Sequence, residues 1–306
     1  MKRGNKMYQQ EIPIFLAVDD AYIPFLAVTI QSIFENKNDK DLYIIKILYT
    51  SITKENINEI LKYSKDNVNI EFVNVKKPLE KLKDKLFVRD YYSDATYYRI
   101  LIPNIYQEYN KILYLDADIV VLDDIAKLYN VNLENNLIGG VPEPWFKEYE
   151  EFQTYAEKVI EVSSYKKYIN VGVLLMNLKE LRNLDFENVF LNLLDSVRYT
   201  LLQDEDYINR ICRERIKYVD EKWNVCGYLY NKPNPKIVHY TIFKPWLKKD
   251  MLNSEYFWNY AKKTVFYDYI SSLMNEDTQN KGDISLVEFR KLAKKEINDI
   301  NNQICN

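Results

Sequence analysis

The chain has 306 residues, 47% hydrophobic and 28% charged, which suits one large domain with a sizeable core and is far from the composition of a disordered chain. Its formal net charge of −3 gives no nucleic-acid footprint, so no nucleic-acid partner is expected. Three cysteines, Cys212, Cys226 and Cys305, lack metal-ligand spacing and fit reduced thiols of a cytoplasmic protein, and six glycines form no Gly-rich phosphate cradle.

The apolar stretch over residues 12–33 has the length of a membrane segment, but Asp19 and Asp20 sit inside it. Each would cost about 2.5–3.5 kcal/mol at a helix centre. A strand over 12–18, a turn at the aspartates and a helix over 22–34 satisfy the pattern instead. A strand over 42–49, a helix over 53–63 opened by a Thr53 cap, and a strand over 68–75 follow. Strands alternating with helices predict an α/β fold with a mainly parallel sheet covered on both faces. Ligands of such sheets bind at the carboxyl ends of strands, which makes Asp19, Asp20 and Tyr22 candidate site residues.

Further along, residues 96–101 read as a helix stopping before Pro103. A strand over 111–115 runs into Asp116-Ala117-Asp118, and another covers 137–141. Residues 143–167 are aromatic and charged with weak period, predicting a mobile loop or an excursion on the acceptor side. A strand over 171–176 and helices over 184–197 and 204–213 follow. The character changes after Trp246, which predicts a main domain over 1–250 and a small C-terminal helical extension over 251–306, with helices over 254–274 and 284–302. Residues 277–288 have EF-hand-like spacing, but Gln279 and Lys281 stand where oxygen ligands are needed, so a plain helix–loop–helix is expected.

Asp116 and Asp118 are the strongest chemical signal. Two carboxylates one residue apart at a strand end aim at one point, where they repel each other and are costly to desolvate. A hard divalent cation such as Mn²⁺ or Mg²⁺ removes both problems. A solvated turn with capping aspartates is the bland alternative. Phosphohydrolases of the haloacid-dehalogenase type share the local pattern, but they carry it on their first strand, and here several strands precede it.

His239 is the only histidine. A lone histidine after a strand is more often a hydrogen-bonded core residue than a ligand, yet imidazole serves Mn²⁺ well beside carboxylates. Lys244 nearby supplies a flexible cation suited to phosphate. A metal and a lysine together form a clamp for a diphosphate leaving group.

The ordered motifs Ala17-Val18-Asp19-Asp20-Ala21-Tyr22, Thr96-Tyr97-Tyr98-Arg99, Tyr114-Leu115-Asp116-Ala117-Asp118, Tyr168 to Leu178, Asp204-Glu205-Asp206-Tyr207-Ile208-Asn209 and His239-Tyr240 before Lys244-Pro245-Trp246 resemble glycosyltransferase family 8, over roughly residues 12–250. The resemblance implies a GT-A type nucleotide-binding fold. It implies a retaining, metal-dependent hexosyltransferase moving galactose or glucose from a UDP-sugar to an oligosaccharide or glycoconjugate acceptor. It places Ala17, Asp19 and Tyr22 at the uracil. It gives the metal, Mn²⁺ or Mg²⁺, to Asp116, Asp118 and His239, with Ala117 inside the donor site, and the diphosphate to Lys244. Arg99, Asn170 and Asp204 would bind hydroxyls of the donor sugar, and Asp204, Glu205 and Asp206 form the candidate catalytic group.

Two positions depart from the family pattern. Glu205 stands where the family usually has Gln, near the sugar carbon opposite the leaving group. An ionised carboxylate there would stabilise positive charge or act as a nucleophile. The same acids also suit the first turn of a helix, at about 0.3–1 kcal/mol each. After His239 the family usually has a glycine before Lys-Pro-Trp; here the residues are Tyr240-Thr241-Ile242-Phe243. That loss favours the alternative of a catalytically weak UDP-sugar-binding protein. The tail aromatics Tyr256, Phe257, Trp258 and Tyr260, with Lys262 and Lys263, suit either packing on the main domain or peripheral contact with the inner face of a membrane.

Overall fold

The structure, a computed structural model, describes residues 2–3, 6–82, 85–86, 93–274 and 281–304. Its centre is a seven-stranded sheet. The strands are β1 (Glu11–Ala17), β2 (Leu42–Tyr49), β3 (Val68–Asn74) and β4 (Lys111–Leu115). After the short β5 (Ile119–Val121) come β6 (Ile138–Pro142), β7 (Ile169–Asn177) and β8 (Ile216–Tyr218). The order across the sheet is β8-β6-β7-β4-β1-β2-β3. β7 runs antiparallel to both its neighbours and every other pairing is parallel. A second sheet joins β9 (Val225–Cys226), β10 (Ile237–His239) and β5.

The mixed, mainly parallel architecture follows from the residue pattern. β1, β2 and β7 are apolar almost throughout and buried on both faces, as strands covered by helices must be. Each fully buried Leu or Ile contributes about 1.5–3 kcal/mol. One apolar layer packs α1 (Ile23–Asn36) against the sheet. The other gathers α3 (Tyr98–Ile105), α4 (Glu150–Lys158), α5 (Phe186–Ser196) and α6 (Asp204–Cys212), while α2 (Lys54–Leu61) lays Ile60 on the first layer. Thr53 caps α2 through the Asn56 amide at 3.4 Å.

Two sequence expectations change. Helix α3 continues through Pro103; so near the helix end, the missing N–H leaves few ladder bonds to lose. Residues 143–167 form a 3-10 turn at Pro144–Glu148 and then α4. Trp145, Phe146, Phe152 and Tyr155 are buried there, with Trp145 edge-on to Phe152 at 4.4 Å. Aromatic packing orders the segment, and elements this short show no clear period.

The tail folds back on the rest of the chain as α7 (Ser254–Ala261), α8 (Tyr267–Ser272) and α9 (Lys281–Ile304). Phe257 packs against Trp246 at 5.0 Å and Tyr240 at 5.8 Å, and Lys263 pairs with Glu35 at 2.6 Å. Within the EF-hand-like stretch, Lys281, Gly282 and Glu288 lie on α9 itself, while Asp277 and Gln279 fall outside the described residues, as does Cys305. No described helix is long and apolar enough to cross a membrane.

Asn209 locks α6 to the start of β7. Its side chain accepts from the Ile169 N–H and donates to the Ile169 carbonyl, both at 2.8 Å and both buried. Asn209→Leu leaves two buried backbone groups unpaired, and the expected loss is about 2–5 kcal/mol. A urea titration reads this as a lower midpoint at unchanged slope.

Candidate active site

Topology brings the site together before any side chain does. β1 and β4 are parallel neighbours, so the residues after each emerge at one edge: Asp19 and Tyr22 after β1, and Asp116-Ala117-Asp118 after β4. β7 runs the other way and delivers its first residues, Asn170 and Val171, to that edge. The Asp116 amide donates to the Gly172 carbonyl at 2.7 Å. β6 delivers Glu143, α6 its N-terminal acids, and β10 His239. They line one cavity of about 700 Å³, which Ala17, Ala117 and Lys244 also border. From α1, the buried Thr29 hydroxyl sits 2.9 and 2.8 Å from the carbonyls of Ala117 and Ile119 and pins the acidic turn.

Asp116, Asp118 and His239 each offer one ligand atom, all within 4.8 Å of one another. Asp118 Oδ1 is 3.2 Å and Asp116 Oδ2 3.7 Å from His239 Nε2. The other oxygen of each acid is neutralised elsewhere: Asp116 Oδ1 by Arg99 at 3.2 Å, and Asp118 Oδ2 by the Lys244 ammonium. Burial opposes ionisation of Asp118, but the Lys244 ammonium outweighs it and holds the carboxyl well below the usual range.

The tautomer of His239 follows from its neighbour. Asn224 Nδ2 donates to Asn170 Oδ1 at 2.8 Å, leaving Asn224 Oδ1 to accept from His239 Nδ1 at 3.0 Å. The Nε2 lone pair then faces two carboxylate oxygens. Asp118 Oδ1, buried, has no hydrogen-bond partner. Only a proton on Nε2 or a cation in the gap reconciles three acceptors facing one another, and an O,O,N donor set fits Mn²⁺.

Arg99 is buried, not part of a surface ion pair. Its Nη1 donates to the Val171 carbonyl at 2.6 Å, its Nε to the Thr96 carbonyl at 3.1 Å, and the guanidinium lies over Tyr114 at 4.3 Å. Asp204 Oδ2 stands 2.9 Å from Arg99 Nε. Burial outweighs that cation and pushes the Asp204 carboxyl up to about 7.

Asn170 joins two buried carboxyls, with Nδ2 at 2.6 Å from Glu143 Oε2 and 3.4 Å from Glu205 Oε2; the Val171 amide donates to the latter at 3.1 Å. Burial pushes Glu143 up to about 7. Burial, and then the Glu143 charge, push Glu205 well above the usual carboxylate range. The expectation of an ionised Glu205 gives way to a pair of carboxyls that holds a proton near neutral pH.

Two expected residues point elsewhere. Asp206 does not line the cavity. Its carboxylate accepts from the hydroxyls of Tyr168 at 2.7 Å and Tyr155 at 2.9 Å and from the Leu202 amide at 2.7 Å, which is a structural anchor. Asp20 is held by Thr53 and Asn56 of the α2 cap. Asp19, which caps the turn through the Tyr22 amide at 3.1 Å, and Tyr22 do line the cavity. Gln203, just before α6, holds φ at 51°, a conformation rare for residues with a side chain, costing about 1–3 kcal/mol. It sets the angle at which Asp204 and Glu205 enter.

The sequence missed Glu143, although the strand-end rule that found Asp19 applies to it equally. It also missed Asn224, for which no local signal exists, and the stripe of α9 that borders the cavity. Gly172 is a further tight point. A Cβ there would lie 2.2 Å from His239 Cε1 and 2.5 Å from Asp116 Oδ2. Gly172→Ala is expected to weaken Mn²⁺ binding by about 10- to 100-fold, read by isothermal titration; an unchanged affinity would remove the cation from this gap.

Comparison with known proteins agrees with the geometry. The family described as Glycosyl transferase family 8 matches residues 13–250. Glycosyltransferase GlyB of Streptococcus pneumoniae serotype 4 is 26% identical over 251 residues, which is 76% of this chain and 57% of GlyB. Among solved structures, the bifunctional glycosyltransferase WbbM has a TM-score of 0.75 at 20% identity, covering 88% of this chain and 53% of that one. The galactosyltransferase LgtC, solved with donor and acceptor sugar analogues, has a TM-score of 0.66 at 23% identity, covering 83% and 96%. The chain thus spans little more than half the length of GlyB and WbbM. These structures share the GT-A fold seen here, and with the family match over most of its length, this chain belongs to glycosyl transferase family 8.

Proposed function

We propose that this chain is a retaining, Mn²⁺-dependent transferase that moves galactose or glucose from a UDP-sugar to a carbohydrate acceptor. One observation carries the reading: two acids and the only histidine, from three distant segments, converge on one gap beside Asp19 and Tyr22. Mg²⁺ suits the same acids but has less use for the imidazole. In this reading Tyr22 stacks on the uracil and Asp19 accepts from its edge, with the Ala17 backbone alongside.

Asp116, Asp118 and His239 would hold the cation, which would supply Lewis-acid neutralisation of the departing diphosphate. Lys244, released from Asp118, adds its charge to the same phosphates. Arg99, Asp204 and Asn170 orient the sugar hydroxyls, fixing the anomeric carbon over Glu205. A protonated Glu205 donates a hydrogen bond and is a poor nucleophile. This supports attack of the acceptor hydroxyl on the leaving-group face over a covalent intermediate. A neutral carboxyl also resembles the amide of the family's usual Gln in shape and charge.

Mn²⁺-dependent release of UDP from UDP-galactose or UDP-glucose tests the reading directly. Asp118→Asn is expected to lower it by at least ~100-fold, the scale of several kcal/mol of lost charge stabilisation. Mn²⁺-dependent UDP affinity with no turnover would instead identify a sugar-nucleotide binder, the outcome favoured by the missing glycine after His239.

Glu205→Gln is expected to retain transfer within about tenfold of wild type, while Glu205→Ala loses considerably more. In the wild type the rate should hold as pH rises through about 7, because the charge Glu143 acquires there pushes Glu205 further up and keeps it neutral. Loss of all transfer in Glu205→Gln would point to an ionised, nucleophilic carboxylate.

A further inference from the structure

The cavity has two walls. One is the sheet edge, whose polar groups are accounted for by nucleotide, cation and donor sugar. The other comes from the C-terminal helix α9. Lys281, Ile284, Ser285, Glu288 and Phe289 border the cavity, and their spacing of three, four, seven and eight residues places them on one helical face.

That wall is anchored on both sides. Gly282 lies flush on Phe243, where an added Cβ would be 2.2 Å from the ring. Asp283 pairs with Lys248 at 3.0 Å, whose ammonium lies over Phe243 at 4.5 Å. Arg290 pairs with Glu151 at 2.5 Å, and Glu296 accepts from the Thr200 amide at 2.8 Å. Phe243 stands in the loop where the family's glycine is missing, so the unusual loop and α9 pack as a unit. The stripe is engaged only in part: the Ser285 hydroxyl donates to the Lys281 carbonyl at 3.0 Å and Phe289 is buried. Ile284 is 57% exposed although it borders the cavity, and the charged ends of Lys281 and Glu288 have no hydrogen bond or ion pair among the described residues. Trp145, buried against Phe289 at 6.2 Å between ring centres, borders the cavity beside Glu143 at the sugar end.

We propose that this stripe is the acceptor subsite, and that it binds a neutral pyranose glycoside. Glu288 and Ser285 take its hydroxyls, while the exposed Ile284 covers its apolar face. Lys281 and Glu288 cancel in charge, which favours an uncharged sugar over a uronate or a phosphosugar. The assignment rests on the transferase reading above, because only a second substrate needs a wall opposite the donor.

The test uses the full chain with Mn²⁺, UDP-galactose or UDP-glucose, and p-nitrophenyl β-glycosides of galactose, glucose and N-acetylglucosamine. Glu288→Ala and the double variant Ile284→Ala with Ser285→Ala alter exposed or half-exposed positions, and equal melting temperatures confirm their folding. Gly282→Val, which pushes α9 off Phe243, is the third variant. For each, the acceptor KM is expected to rise at least ~10-fold, about 1.4 kcal/mol of lost binding, with UDP affinity held within about twofold. An unchanged acceptor KM overturns the proposal, as does an equal loss of UDP affinity. A wild type that hydrolyses donor but accepts none of the three glycosides overturns the neutral-glycoside assignment. A wild type that neither binds UDP nor hydrolyses donor fails one step earlier, at the transferase reading, and takes this proposal with it.

Discussion

Two carboxylates and an imidazole nitrogen cannot share a gap less than 5 Å wide without positive charge to compensate them. The fold supplies that charge in two forms. Arg99 and Lys244 each take the outer oxygen of one acid and leave the inner oxygens facing His239. Asn224 sets the ring's tautomer, and Asn170 fixes Asn224. The network thus runs without a break from the gap beside His239 to the Glu143–Glu205 carboxyl pair, so a change at one end is felt at the other.

Sheet topology makes this charge pattern possible. A parallel β1–β4 pair presents both acidic turns on one edge, and the reversed β7 brings its beginning, not its end, to the same place. Gly172 sits where that strand passes between Asp116 and His239, and no side chain fits there. On the other flank the tail helices complete the hydrophobic cluster around Trp246, which stacks on Phe25 at 3.9 Å and keeps the Lys244 loop in place. The tail helices and the sheet-bearing part of the chain are joined by packing as well as by the chain.

Much of this was legible in the sequence because strand ends announce themselves. A continuous apolar run that stops at acids locates Asp19 and Asp116 without any knowledge of pairing. Helix caps were legible for the same reason, as Thr53 shows. The segment after Glu143 was not, because its order comes from aromatic side chains meeting residues far away, and short aromatic elements lack a period. Asp206 was misplaced because acids in the first turn of a helix look alike on paper. Successive residues point about 100° apart, so Asp204 and Glu205 face the cavity while Asp206 turns toward Tyr155 and Tyr168. The protonation of Glu205 was equally hidden, since it depends on Glu143, 62 positions away in the chain.

The position of Lys244 has a consequence for how ligands load. Its ammonium rests on Asp118 and on the Tyr240 carbonyl at 2.5 Å, acting as a resident counter-ion. In the proposed function a metal ion would have to displace it, so the bare ion would find an occupied seat and bind weakly alone. When a diphosphate arrives with the ion, the evicted ammonium gains a new anionic partner at once. In that reading metal and nucleotide would enter as a package, each raising the other's affinity by the same factor.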